Sequence, residues 1–145
     1  MTLVAGLIFV VLTVTALLHV AWGFGVTWPA KDEQALVDAV LGAEGASKIP
    51  SLGLTLAVAG GMLAAAIIAL WGADVIAVPL PEWIRTAGLA TLAAIFLLRG
   101  VVTYLPVQLF VVQPFRRLNR LYYSPLILAI GVGYLALLLA RWSLI

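Results

Sequence analysis

The sequence predicts an all-α integral membrane protein: four helices in one domain, packed as an antiparallel up-down four-helix bundle. Three observations predict it. Four long apolar runs occupy about residues 2–24, 50–71, 85–104 and 122–141. Each is close to the ~20 residues that carry a helix across a ~30 Å hydrocarbon core. Of 145 residues, 65% are hydrophobic and only 10% are charged, where a soluble domain carries about 25% charged residues. The mean hydropathy is +1.20, and little chain is left over for a soluble domain.

The first run opens Met1-Thr2-Leu3 without Lys or Arg. It is longer than the ~7–15-residue apolar segment of a signal peptide, so it reads as a retained helix. Loop 1, residues 25–49, is the longest connection. Pro29 near its start, Asp32 and Glu33 in a first turn, and Gly42 at the end predict a short interfacial helix over about residues 30–41. Leu36, Val40 and Leu41 should form its apolar face. The plain reading is an interfacial connector; the sharper one is a lid over a cavity. In the second run Gly53, Ala57, Gly61 and Ala65 recur every four residues, with Gly60 and Ala64 one step round. Small residues at that spacing predict a face where another helix comes close. Pro79-Leu80-Pro81 stiffens loop 2, residues 72–84. Gly131 and Gly133 offer a second close approach in the fourth run. Trp22, Trp28, Trp71, Trp83, Trp142, Tyr104, Tyr122 and Tyr123 lie near run ends, as an aromatic belt requires.

Charge predicts orientation. Loops 1 and 3 share one side and carry Lys31, Lys48, Arg116, Arg117 and Arg120. The other side carries Arg85 and Arg141. The positive-inside rule then places loops 1 and 3 in the cytoplasm of a bacterium and both termini outside the inner membrane. Arg116, Arg117 and Arg120 read as topology determinants and headgroup contacts.

Composition also excludes. There is no cysteine, hence no disulfide, thiolate catalysis or iron–sulfur ligation. A single histidine gives no His-x-x-x-His metal spacing, and no metal site is expected. The pI near 9.3 does not signal nucleic acid, because the basic residues flank membrane spans. No paired carboxylates or glycine-rich phosphate loop appear within the runs. No cofactor is indicated.

The intramembrane polar residues are the functional candidates. His19 lies five residues before Phe24 and Arg99 five before Tyr104, each about 7–8 Å from its span end. Both belong to the loop 1 and loop 3 half. Tyr122, Tyr123 and Ser124 begin the fourth run at that level. His19 and Trp22 share a helical stripe. A plain histidine of this kind hydrogen-bonds a carbonyl or hydroxyl and fixes packing; the sharper reading handles a proton or ligand. Arg99 stays charged and has no acid in its own run. It can snorkel to the interface, or its counter-charge can be an anionic ligand or lipid phosphate.

Several segments carry a resemblance: His19-Val20-Ala21-Trp22-Gly23-Phe24-Gly25, Trp28-Pro29, Leu98-Arg99-Gly100 and Pro114-Phe115-Arg116-Arg117-Leu118-Asn119-Arg120-Leu121-Tyr122-Tyr123-Ser124-Pro125. In this order they resemble the domain of unknown function 3995 family, small bacterial membrane proteins with four predicted spans. The resemblance runs over nearly the whole chain. It implies the same architecture and a shared core of His19, Trp22, Arg99, Tyr123 and Ser124, and it implies no activity. The leading functional expectation is a binding or accessory protein holding an apolar or amphipathic molecule against His19, Trp22, Arg99, Tyr122, Tyr123 and Ser124. Membrane lipids are the expected partners, with other membrane subunits or a second copy left open. The rivals are an intramembrane enzyme on a lipid or isoprenoid-like substrate, and a small transporter.

Overall fold

The computed structural model describes residues 1–105 and 112–142, the side chain of Trp142 excepted. Part of loop 3 and the belt position of Trp142 therefore lie outside the described residues. The elements are α1 (Thr2–Gly23), α2 (Glu33–Val40), α3 (Leu52–Gly72), α4 (Glu82–Val102), the single turn α5 (Phe115–Leu118), a π turn (Asn119–Tyr123) and α6 (Ser124–Trp142). Four helical segments are long and apolar enough to cross a membrane: Thr2–Gly23, Leu52–Gly72, Glu82–Val102 and Phe115–Arg141.

Local chemistry sets the boundaries. Asp32 caps α2 by accepting from the Ala35 N–H at 2.8 Å, satisfying a donor that a helix start leaves free. Gly42, at φ +62°, follows its end in the left-handed conformation that glycine tolerates. Ser51 caps α3. α4 begins at Glu82, three residues before the apolar run does. Glu82 joins the helix because Arg85, one turn on, neutralises it.

The closest helix contacts are α1 with α3 and α4 with α6. A Cβ added to Gly23, at the end of α1, would meet Leu52 and Thr55 at the start of α3. Near the end of α4, Gly100 faces Leu128, and Gly131 of α6 faces Leu97. At Gly131 a Cβ would lie 2.9 Å from the Leu97 backbone nitrogen, so glycine there lets the two backbones approach. The buried core draws Ala5, Ile8 and Leu12 from α1 and Ala65, Ala66 and Ala69 from α3. Leu89 and Ala93 come from α4, and Ile130, Tyr134 and Leu137 from α6. It thus sits toward the end that carries loop 2. Tyr134, fully buried, donates to the Ala65 carbonyl at 2.7 Å and stacks on Phe96, so it ties α6 to both α3 and α4.

Three expectations are corrected. Gly53, Ala57 and Gly61, with Gly60 and Ala64, face outward, and nothing lies within 4 Å of a Cβ at any of the three glycines. Ala65 alone of that stripe is buried. α3 instead buries Thr55, Ala59, Ala66 and Ala69. The helix is apolar all round, so either stripe suits lipid. Trp22 and Trp71, at the ends of α1 and α3, are buried within the protein and do not face outward as belt residues would. The Trp22 indole N–H donates to the Trp28 carbonyl at 2.8 Å, and the Trp71 ring lies under the Arg85 guanidinium. On α2 the buried residues are Leu36 and Val37, while Leu41 is exposed. Leu41 falls beyond the last helical turn. That end is held by backbone: Val112 N–H donates to the Gly42 carbonyl at 2.9 Å, and the Tyr123 hydroxyl donates to the Ala39 carbonyl at 3.2 Å. A Cβ at Gly42 would overlap the Phe115 side chain.

Candidate functional site

Arg99 stands in the last turn of α4, where the helix dipole favours a cation. Its Nη1 donates to Thr103 Oγ1 at 3.0 Å and its Nη2 to Asn119 Oδ1 at 3.4 Å. The Asn119 amide nitrogen donates to the same Thr103 oxygen at 3.1 Å. That oxygen already accepts two hydrogens, so its own hydrogen goes to Ser124 Oγ, 2.6 Å away. Ser124 in turn donates to Asn119 Oδ1 at 3.2 Å. The ring of donors and acceptors closes, and its three neutral members are buried: Thr103, Asn119 and Ser124.

The π turn makes the ring possible. Asn119 and Ser124 are five residues apart, about 140° round an α-helix. The Ser124 N–H reaches back to the Asn119 carbonyl, and that wider turn brings both side chains onto one face.

Arg99 as a residue is exposed, while its hydrogen bonds to Thr103 and Asn119 are partly buried. Two of its N–H groups are used by the ring, which leaves three of the ~five without a partner among the described residues. All six carboxylate side chains of the chain are described. None of the ion pairs among the described residues includes Arg99. The site therefore holds one positive charge on a neutral, rigid mount.

His19 belongs to another group. Its Nδ1 lies 2.8 Å from the Thr15 carbonyl, one turn back, so Nδ1–H donates. The ring lies 5.0 Å from that of Trp22. No hydrogen bond among the described residues joins His19 to Arg99. Tyr123 is engaged with α2 and packs near Phe115. Tyr122 points outward, 64% exposed. Arg116, Arg117 and Arg120 are exposed on the turns before Ser124. Of the residues that the sequence singled out, the structure thus joins Arg99 with Ser124, pairs His19 with Trp22, and leaves Tyr122 outside both. Where α1 meets α2, a hollow of about 100 Å³ is lined by Trp22, Val26, Thr27, Glu33, Leu36 and Ile49.

Thr103 and Asn119 were missed. Thr103 had a readable signal, one turn after Arg99 on the same stripe. Asn119 had none, because the π turn decides its direction. A second cluster was missed at the opposite end of α4. The Arg85 side chain is only 6% exposed and pairs with Asp74 and Glu82; Arg141 reaches the same two carboxylates at 3.1 and 2.9 Å. Arg85 also donates to the Trp71 carbonyl at 3.0 Å. Its hydrogen bond holds the Asp74 carboxyl below the usual carboxylate range. The sequence signal was Glu82-x-x-Arg85, an i, i+3 pair. Among the described residues, no three His, Asp or Glu side chains gather as metal ligands.

No curated protein and no solved structure matches this chain. A family model described as a protein of unknown function (DUF3995) matches residues 12–134. That span runs from within α1 to within α6 and includes the histidine of α1 and the whole Arg99 ring, and the chain belongs to this family.

Proposed function

We propose that the chain is a small binding or accessory protein of a bacterial inner membrane, folded as an antiparallel four-helix bundle. It holds an amphipathic molecule at the end formed by loops 1 and 3, which faces the cytoplasm. One observation carries the reading: Arg99 is held by neutral groups and keeps three donors without a partner among the described residues. A cation facing lipid at the centre of a span costs roughly 2.5–3.5 kcal/mol on insertion scales; nearer the end, where Arg99 stands, the cost is smaller, and a bound anionic group offsets it. The charge pattern supports the orientation. At the loop 2 end Asp74, Glu82, Arg85 and Arg141 neutralise one another, while Lys31, Lys48, Arg116, Arg117 and Arg120 lie at the other end.

The reading is tested by photo-crosslinking with an amphiphile bearing a diazirine beside its polar head, in native membranes. Labelled peptides should come from residues 95–103 and 119–126. Labelling concentrated on residues 74–89 would refute it. Topology is checked separately: a reporter inserted in loop 3 should be cytoplasmic, and periplasmic activity there would reverse the orientation.

A further inference from the structure

We infer that the Arg99 site takes the phosphate of an anionic phospholipid, with an acyl chain lying along the outer face of α4. This rests on the binding reading above and names the chemistry of its ligand.

The donor ledger points to a phosphate. Three N–H groups of a fixed, charged fork have no partner among the described residues, and phosphate oxygens accept several such hydrogens in bidentate geometry. The Thr103–Asn119–Ser124 ring sets the plane of the fork before anything binds, so little side-chain entropy is left to lose. Charge complementarity agrees. The α4–α6 pair carries Arg99, Arg116, Arg117 and Arg120 at this end and no acid. The acids of that side, Asp32, Glu33, Asp38 and Glu44, all lie on loop 1.

The apolar neighbourhood selects a lipid over a free anion. Ile95 and Val102 share the stripe of Arg99, four residues before it and three after. They are 54% and 40% exposed, and Leu98 beside them is 66% exposed. Arg99 lies only three residues inside the end of α4, about 5 Å along the axis. That depth suits a headgroup phosphate met by a long side chain, with its chain running inward past Ile95.

The test is native mass spectrometry of the full-length protein in detergent, titrated with three probes. They are dioleoylphosphatidylglycerol, dioleoylglycerol with the same chains but no phosphate, and inorganic phosphate. Wild type should hold the phosphatidylglycerol at least about tenfold more tightly than dioleoylglycerol, the scale of a charge-assisted hydrogen bond. Arg99→Gln should remove that preference. Arg99→Lys should restore only part of it, because a point charge lacks the fork. Lys31→Gln removes the same charge from loop 1 and should change nothing. If Arg99→Gln does not fold, Arg99→Lys against wild type carries the comparison. Equal binding of both lipids, unchanged in the Arg99 variants, would overturn the phosphate assignment and leave an amphiphile site. Competition by inorganic phosphate alone would overturn the lipid as its source. Failure of folded wild type to retain any amphiphile would instead remove the binding reading itself.

Discussion

α4 carries two arginines on nearly the same face, each the fourth residue from its own end of the helix, and the protein treats them in opposite ways. They are fourteen residues apart, roughly 21 Å along the axis. Arg85 stands at the N-terminal end, where the helix dipole opposes a cation. It is buried, and Asp74, Glu82, the Trp71 carbonyl and the Trp71 ring surround it. Arg99 stands at the C-terminal end, where the dipole supports it with about half a charge. It is exposed, and only neutral groups hold it. The lesson is where compensation comes from. At Arg85 it is internal and joins α6 to the α3–α4 connection through Arg141. At Arg99 it is left for something outside the chain.

The contrast can be broken or sharpened by substitution. The largest effect is expected where both clusters share support, at the α4–α6 contact. Gly131→Leu would force a side chain into the Leu97 backbone and should cost about 3 kcal/mol or more, read as a lower unfolding temperature in detergent. Gly61→Leu should be tolerated in the same assay, because its surroundings are open. Next comes Asp74→Asn with Glu82→Gln, which leaves Arg85 without its carboxylates. A fully buried pair broken in this way loses about 3–5 kcal/mol. Both carboxylates are 66% exposed, so solvent screening brings the loss below that of a buried pair, read as a lower unfolding temperature. Asn119→Ala should cost about 1–2 kcal/mol, since it strands buried hydroxyl partners. Arg99→Leu should cost less than about 1 kcal/mol of stability, because no carboxylate depends on it, while abolishing the lipid preference. Equal losses at Arg99 and at the Arg85 carboxylates would erase the distinction between the two ends.

The smallest effect is a pH dependence confined to one end. The Asp74 carboxyl is held below its ordinary value in the fold. Its contribution is therefore fully present above the unfolded carboxylate value of about 4 and is lost as pH falls through the depressed one. Unfolding temperatures compared at neutral and strongly acid pH should drop more for wild type than for Asp74→Asn. An identical drop in both would show that Asp74 takes no part.

How much was legible in the sequence follows from what lipid does to patterning. The helices themselves were legible, because crossing a membrane needs length and apolarity whatever the partner. Facing was not. Where every side of a helix is apolar, no stripe marks the packed face, and the regular Gly53–Ala57–Gly61 spacing proved to be outside while Ala59, Ala66 and Ala69 proved to be inside. Arg99 was visible as a lone cation in an apolar run. Its company was not: His19 shares its end of the molecule but sits on α1 with Thr15 and Trp22, whereas Thr103 and Asn119 are brought to Arg99 by a helical step and a π turn. The Arg85 cluster escaped because Asp74 and Glu82 read as loop acids. Their role depends on how α3, α4 and α6 end beside one another, and that is a tertiary fact.

The π turn at Asn119–Tyr123 makes the Arg99 mount depend on counting rather than on spelling. It joins two helical phases, so the arginine-bearing turn before it and the apolar span after it can each keep a separate heading. Residues inside the wide turn can change identity while Asn119 and Ser124 stay aligned. Winding the same residues as an ordinary α-helix would turn Asn119 about 140° away from Ser124. The fork would then lose half its mount although none of the four residues that build it had been altered.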